Sequence, residues 1–526
     1  MGQAIRAAQS ATTTATATAA EAATAVVRPR PRLLRTIVFV VGAASLGAEI
    51  AAARLLAPYF GASTIIWANT IATVLVSLSA GYAIGGRLAD RRGDLRGLCT
   101  IVLLASVLLA IVPFVADPFL KLSVNALGSL SVGGFLGSLA AVLVLVALPV
   151  MLLGAVAPYA NRLTVVEVTE TGRVTGGLYA ISTAGSLVGT FLAALALIPL
   201  IGTHRTFIVF ALGLAIVAAP GLGMRRFLLV PVAVAALLAI PPAAIGASVN
   251  GGKVIYETET PYQYARVVQF ADGVRWLQLN EGVSVHSLYR PGSYLTGGYW
   301  DDFLALPFAG VVGPPHRIAI LGDAAGTVAR AYGHYFPSTR VDAVELDGEL
   351  TTIGKRYFHL RGPNLHFYTA DARPWLQAST AHYDSIFLDA YRQPYIPFYL
   401  LTHEFFENVR AHLNPGGAFI VNVGHLPGSD ALEKVVSATL RSAFAVVMRD
   451  RFSATNSLVL ASTRPLSDER MTAARASVPA DLQGLFAAVA GRLGPALRGG
   501  QVYTDDLAPV EWLTDLSIIR YAAGAR

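Results

Sequence analysis

Long apolar runs fill the first half of the chain and stop near residue 250. Seven of them, at about 34–57, 63–87, 97–116, 133–157, 177–199, 206–223 and 227–247, approach the ~20 residues that a helix needs to cross a bilayer core. Residues 253–280 then alternate apolar and polar positions in three stretches, Lys253–Glu259, Tyr264–Phe270 and Val274–Leu279, which predicts a small antiparallel set of strands. From Arg317 the rhythm becomes short apolar run, loop, helical stretch. Arg317–Leu321, Val341–Leu346, Leu365–Ala370, Tyr383–Leu388 and Ala418–Val423 read as strands. Phe444–Met448 and Ser457–Ala461 complete the set. Helices are expected up to about Tyr335, over 348–358 and over Thr402–Leu413, where Pro415-Gly416-Gly417 is a stop signal. Strands alternating with helices predict an α/β, doubly wound, mainly parallel (Rossmann-like) sheet. The expected organisation is a disordered basic tail (1–33), a transmembrane domain of about seven spans (34–248), a small β subdomain (249–310) and the α/β domain (311–526).

Composition sharpens this division. The chain is 54% hydrophobic and 14% charged, too apolar for an ordinary soluble protein. Its net charge of +7 is unevenly placed. Residues 1–250 carry 16 Lys/Arg against 7 Asp/Glu, and residues 251–526 carry 24 against 26. The basic excess therefore surrounds the apolar runs, as a lipid bilayer partner requires. The soluble half has no basic excess to hold a phosphate backbone, which argues against nucleic acid. A single cysteine, Cys99, excludes disulfides within the chain and any cysteine-based zinc site, and no metal is expected. His286, His403 and His425 have no partner at metal-ligand spacing and read as structural.

Basic residues mark alternate loops. Arg28, Arg30, Arg32 and Arg35 precede the first run, and Arg87, Arg91, Arg92 and Arg96 follow the second. Arg162 and Arg173 follow the fourth, and Arg225 with Arg226 follows the sixth, whereas the intervening loops hold Lys121 and Arg205. The positive-inside rule puts the N-terminus in the cytoplasm. Seven crossings would then leave residues 251–526 outside. The chemistry argued below uses a cytosolic metabolite, so the expectation is a multi-pass protein of the cell membrane with a cytoplasmic enzyme domain. One run is then re-entrant or miscounted, and the last, broken by Pro231, Pro241 and Pro242, is the candidate. Glu49 and Arg54 lie within the first run, where charges face a cavity, each other or a helix end.

The candidate chemistry lies at the strand ends. Gly322-Asp323-Ala324-Ala325-Gly326 follows the first strand and opens a helix, and glycine there lets a ligand approach the backbone. Glu345 ends the neighbouring strand, where a carboxylate can hold ribose hydroxyls. The loop is not a full G-x-G-x-x-G, so a nucleoside without phosphates, such as an S-adenosyl compound, fits better than a dinucleotide. Asp371 with Ala372 ends the third strand, suited either to an adenine amino group or to capping a helix. Asp389 ends the fourth, pointing into the crevice at the carboxyl ends of the strands, as base or substrate acid.

These motifs, with Pro261-Tyr262-Gln263, Tyr299-Trp300-Asp301 and Leu388-Asp389-Ala390, resemble the polyamine aminopropyltransferase (spermidine synthase) family, and the chain resembles its membrane-fused subgroup. The resemblance runs from about Val254 to Ala461. It implies transfer of the aminopropyl group of decarboxylated S-adenosylmethionine, a co-substrate rather than a cofactor, to an amine such as putrescine. Spermidine and methylthioadenosine would be the products. By resemblance, Gln263, Tyr299, Gly322, Asp323, Glu345, Asp371 and Ala372 bind the donor and Asp389 is catalytic. Three positions depart from the family: Trp300-Asp301 stands for His-Glu, Ala325 for the acid of the glycine loop, and Arg392 for a second acid after Asp389. The acceptor half is therefore altered. A methyltransferase-like enzyme or sensor of S-adenosyl nucleosides, and a polyamine-handling transporter with a ligand-binding domain, are the competing readings. A homo-oligomer is compatible with the sequence.

Overall fold

A computed structural model describes residues 31–60, 64–127, 133–165, 170–240, 251–280, 284–311, 313–392 and 395–522. The expected tail over 1–33 falls almost wholly outside the described residues. The apolar half forms a helical bundle. It comprises α1 (Pro31–Phe60), α2 (Thr64–Arg91), α3 (Leu95–Leu127), α4 (Gly133–Val142), α5 (Leu148–Thr164), α6 (Thr171–Leu192), α7 (Ile198–Ala218) and α8 (Leu229–Leu237). Single π-helical turns, Leu143–Ala147 and Ala193–Leu197, join α4 to α5 and α6 to α7. Among the described residues five helical segments are long and apolar enough to cross a membrane.

The last of these, Thr171–Leu222, has 52 residues. At 1.5 Å per residue it would be about 78 Å long, far beyond a bilayer core of about 30 Å. It is two helical runs rather than one. Gly202 sits at φ 82°, ψ 167°, where only glycine is unstrained, and breaks the helix. The packing on α1 shows the reversal. Gly185 and Gly189 lie against Phe39 and Ala43, running with α1, whereas Gly213 and Phe210 lie against Val40 and Gly47, running against it. The separate runs expected at 177–199 and 206–223 therefore lie on the two sides of the Gly202 break.

These helices meet through small residues. A Cβ on Gly42 would overlap the Ser182 carbonyl, one on Gly185 the Phe39 carbonyl and one on Gly81 the Met151 carbonyl. Gly81 and Gly85, and Gly185 and Gly189, are spaced by four, the small-xxx-small pattern that lets helix backbones touch.

The two ends of the bundle differ. At one, Tyr159 donates to the Arg92 carbonyl, Arg162 pairs with Asp90 at 3.4 Å, and Gly223 lies near Arg96. This end carries the basic loops. At the other, Arg54 of α1 donates to the carbonyl of Thr260, and Thr203, just past the Gly202 break, donates through N and Oγ1 to Glu259 at 2.9 and 2.7 Å. Glu259 and Thr260 belong to the soluble half, which thus docks on the end opposite the basic loops. After Gly223, α8 packs back on α7.

The soluble half has two sheets. β1 (Gly252–Glu259), β2 (Tyr264–Phe270), β3 (Arg275–Leu279) and β4 (Val285–Tyr289) form an antiparallel meander. Its alternating inner face, Ala265, Val267, Leu277 and Leu279, packs on Ala325 and on Leu350 and Ile353 of the next domain. The large sheet contains β5 (Arg317–Leu321), β6 (Arg340–Glu345), β7 (Leu365–Thr369), β8 (Tyr383–Leu388), β9 (Leu413–Gly424), β10 (Val446–Asp450), β11 (Asn456–Ser462) and β12 (Leu493–Pro495). Their order is 12-10-11-9-8-5-6-7. Five neighbours, 9-8-5-6-7, are parallel, and β11, β10 and β12 add on antiparallel, so the sheet is mixed rather than simply parallel. The order reverses at β5: β6 lies on one side and β8 on the other. Loops leaving β5 and β8 diverge there, opening a crevice at their carboxyl ends.

Candidate active site

Gly322 and Asp389 emerge side by side from β5 and β8. The Asp389 N–H donates to the Leu321 carbonyl at 2.9 Å. Gly322 has φ 90°, and a Cβ there would meet Ala390 N at 2.6 Å, so glycine is what allows the two loops to cross. Asp389 Oδ1 accepts from Asn422 Nδ2 at 2.8 Å, and Oδ2 from the Tyr299 hydroxyl at 3.0 Å. Burial raises the Asp389 carboxyl to about 7, against the two hydrogen bonds that hold it down. The Tyr299 phenol is pushed well up by burial and by the Asp389 charge, so it remains a donor. Trp300 stacks on Tyr299 at 4.5 Å. Asn422 is itself oriented: its Oδ1 accepts from Asn456 at 3.1 Å, and its carbonyl accepts from Tyr391 at 3.0 Å.

On the other side of Gly322, the Ala324 N–H donates to Glu345 Oε2 at 2.9 Å and the Asp347 N–H to Oε1 at 3.0 Å. Burial raises the Glu345 carboxyl. Asp323 is buried, its carboxyl driven well up first by burial and then by Glu345 and Asp389, and its Oδ1 has no hydrogen-bond partner among the described residues. Asp347 caps α9's successor helix, α10 (Gly348–Tyr357), α9 being Thr327–Tyr335, and accepts from Thr260 Oγ1 at 2.7 Å and from Gln263 Nε2 at 3.3 Å. Asp371 caps α11 (Ala372–Ala378) through the Arg373 N–H at 3.1 Å and accepts from the Tyr399 hydroxyl at 2.8 Å. Capping and facing the crevice are thus compatible at this residue.

All eight residues named from the sequence, Gln263, Tyr299, Gly322, Asp323, Glu345, Asp371, Ala372 and Asp389, line one cavity of about 1160 Å³. That volume holds a nucleoside and a short chain beyond it. Sequence reasoning missed Asn422, which stands on a strand interior with no motif around it. It also missed Thr260, and Trp67 at the start of α2, which lines the cavity from the bundle. His286 and His425, expected as structural, also line it. Burial pushes the His286 imidazole down to about 4, and its Nε2 has no partner among the described residues. His403 lies elsewhere, against Ser442 at 2.7 Å. Asp301 is used up in a turn, accepting from Thr296 N and Oγ1 and from Gly297 N at 2.7–3.0 Å. Arg392 does line the cavity. Among the described residues no group of three or more His, Cys, Asp or Glu could hold a metal ion.

Compared with known proteins, the chain matches no family model. It is 36% identical over 190 residues to a probable polyamine aminopropyl transferase of Bifidobacterium longum, covering 36% of this chain and 42% of that one. It is 34% identical over 134 residues to a polyamine aminopropyltransferase of Vibrio vulnificus, covering 25% of this chain and 44% of that one. The chain therefore spans less than half the length of these curated relatives. A probable spermidine synthase of Corynebacterium glutamicum, a solved structure, matches 47% of this chain and 98% of its own at 22% identity and a TM-score of 0.36. The resemblance to polyamine aminopropyltransferases that the motifs carry is thus also found by direct comparison.

Proposed function

We propose that the chain is a membrane-anchored aminopropyltransferase that alkylates an amine with decarboxylated S-adenosylmethionine. The observation that carries this reading is a carboxyl raised to about 7, Asp389, set between the hydrogen bonds of Tyr299 and Asn422 in the cavity that Glu345, Asp323, Asp371 and Gln263 also line. A general base works best with a pKa near the working pH. The amine nitrogen attacks the propyl carbon bound to sulfur. The carbon–nitrogen bond forms, the carbon–sulfur bond breaks, and its electron pair returns to sulfur as methylthioadenosine leaves. Asp389 takes the proton that the amine sheds. Glu345 receives the ribose hydroxyls, Asp371 with Ala372 the adenine, and Asp323, with its free oxygen, the donor's cationic chain. Trp300 and Arg392 make the acceptor side less suited to a dication such as putrescine than the family pattern is.

The basic loops argue for a cytoplasmic N-terminus, and docking at the opposite end argues for a catalytic domain on the other face of the membrane. That placement also favours a second reading, a domain that binds S-adenosyl nucleosides without transfer. Calorimetry on the full chain in lipid nanodiscs separates the two. A transferase binds decarboxylated S-adenosylmethionine and methylthioadenosine more tightly than intact S-adenosylmethionine. Preference for the intact compound would overturn the aminopropyl reading in favour of the second.

A further inference from the structure

The bundle grips the one turn of the α/β half that reaches the donor-binding acids. β1 and β2 are joined through Thr260 to Gln263. The Thr260 N–H donates to the Gln263 carbonyl at 2.9 Å, and Thr260 Oγ1 accepts from the N–H groups of Tyr262 and Gln263 at 3.1 and 3.0 Å, closing the turn. On its outer side the turn is held by the bundle: Arg54 donates to the Thr260 carbonyl, and Thr203 donates twice to Glu259. On its inner side Thr260 Oγ1 and Gln263 Nε2 meet Asp347, whose N–H donates to Glu345. A continuous path of hydrogen bonds and covalent turn thus runs from a helix of the membrane half to the ribose acid. The Arg54 guanidinium is in electrostatic reach of both Glu259 and Asp347.

We infer that Arg54 is a positioning residue of the nucleoside site: with Thr203 it fixes the Glu259–Gln263 turn, and through Asp347 the carboxylate of Glu345. Trp67 of α2 closes the same cavity from the bundle side. The inference rests on the proposed function for what the site binds, but not for the grip itself. A charge is costly at depth in an apolar helix unless it finds a partner, and here the partner is a main-chain carbonyl in the other domain. The membrane half is then part of the binding site and not only its anchor.

Two measurements on the full chain in nanodiscs test this, with Arg54→Ala, Arg54→Lys and Thr203→Val. Hydrogen exchange of the peptide covering residues 258–264, without ligand, is expected to speed up at least threefold in Arg54→Ala and Thr203→Val, with partial recovery in Arg54→Lys. Methylthioadenosine is expected to bind about tenfold more weakly to Arg54→Ala, the same protein keeping its turnover at saturating donor within about twofold. Thr203→Val, a near-isosteric change, reports on the grip even where Arg54→Ala fails to assemble. Unchanged exchange over 258–264 in either folded variant would overturn the inference. If the wild type binds no methylthioadenosine, the proposed function fails, and the exchange result still decides the grip.

Discussion

The bundle and the α/β domain are both closely packed, but from different materials. Where bundle helices approach most closely, glycines are set against backbone: Gly42, Gly81, Gly85, Gly154, Gly185 and Gly189. The α/β core is filled by large rings, with Phe303, Phe308, Tyr332, Tyr383, Phe387, Phe405, Phe406 and Phe419 fully buried. The solvent explains the difference. Water rewards removal of apolar area by about 25 cal/mol per Å². Lipid gives no such reward, so helices associate through the close contact that small residues allow. Chemistry follows the same division: most buried carboxyls of the soluble half face a cavity or an arginine, while the bundle's Arg54 is directed out of its own domain.

If reactivity belongs to the α/β domain, its largest break comes at Asp389. Asp389→Asn should lower turnover by about 10²–10⁴, the usual contribution of a general base, with nucleoside affinity nearly unchanged. Glu345→Gln should act on binding instead, weakening methylthioadenosine by roughly 1.5–3 kcal/mol in calorimetry, the range for a hydrogen bond to a charged group. A change in the bundle away from the junction should do neither. Gly189→Leu would drive a side chain into the Ala43 backbone and cost about 1–3 kcal/mol of stability. Thermal unfolding in nanodiscs should register that loss while the folded fraction binds methylthioadenosine as before.

The pH dependence gives the smallest and sharpest contrast. Transfer needs Asp389 ionised, so kcat/KM should rise through about pH 7 and level off above it. Asn422 favours the charged form by hydrogen bonding, so Asn422→Ala should move that limb upward by roughly one unit, given ~1.4 kcal/mol per unit. Stability runs the other way. The Asp389 value lies above its ordinary 3.8, so the folded chain keeps a proton that the unfolded chain releases between about pH 4 and 7. This site therefore lowers stability as pH rises across that window. Asp389→Asn removes the dependence, so its melting temperature should gain on the wild type between pH 5 and 8.

The two regions were also unequally legible in the sequence. The strand–loop–helix rhythm was enough to locate Glu345, Asp371 and Asp389, because a short apolar strand ending in an acid is a local signal and the sheet does the rest. Asn422 was not legible. It is a buried polar residue near the carboxyl end of β9, and the register of β9 beside β8 carries it to Asp389. The fate of Asp301, named only as a departure from the family pattern, was not legible either, since the turn that engages it is built from Thr296 and Gly297, which have no motif. In the bundle, hydropathy found the runs but not their directions. The reversal at Gly202 and the return toward Thr203 are set by which glycines meet which backbones, a long-range property. Because the soluble half docks on the end opposite the basic loops, a reporter after Arg526 should signal from the face opposite those loops. A cytoplasmic signal would contradict the observed docking.

Transfer at Asp389 is decided by product stoichiometry. The full chain in nanodiscs is incubated with decarboxylated S-adenosylmethionine and a panel of amines, and both products are counted by mass spectrometry. The account predicts one methylthioadenosine per aminopropylated amine, with both lost together in Asp389→Asn. Methylthioadenosine without a new amine, or equal yields from wild type and Asp389→Asn, would contradict it.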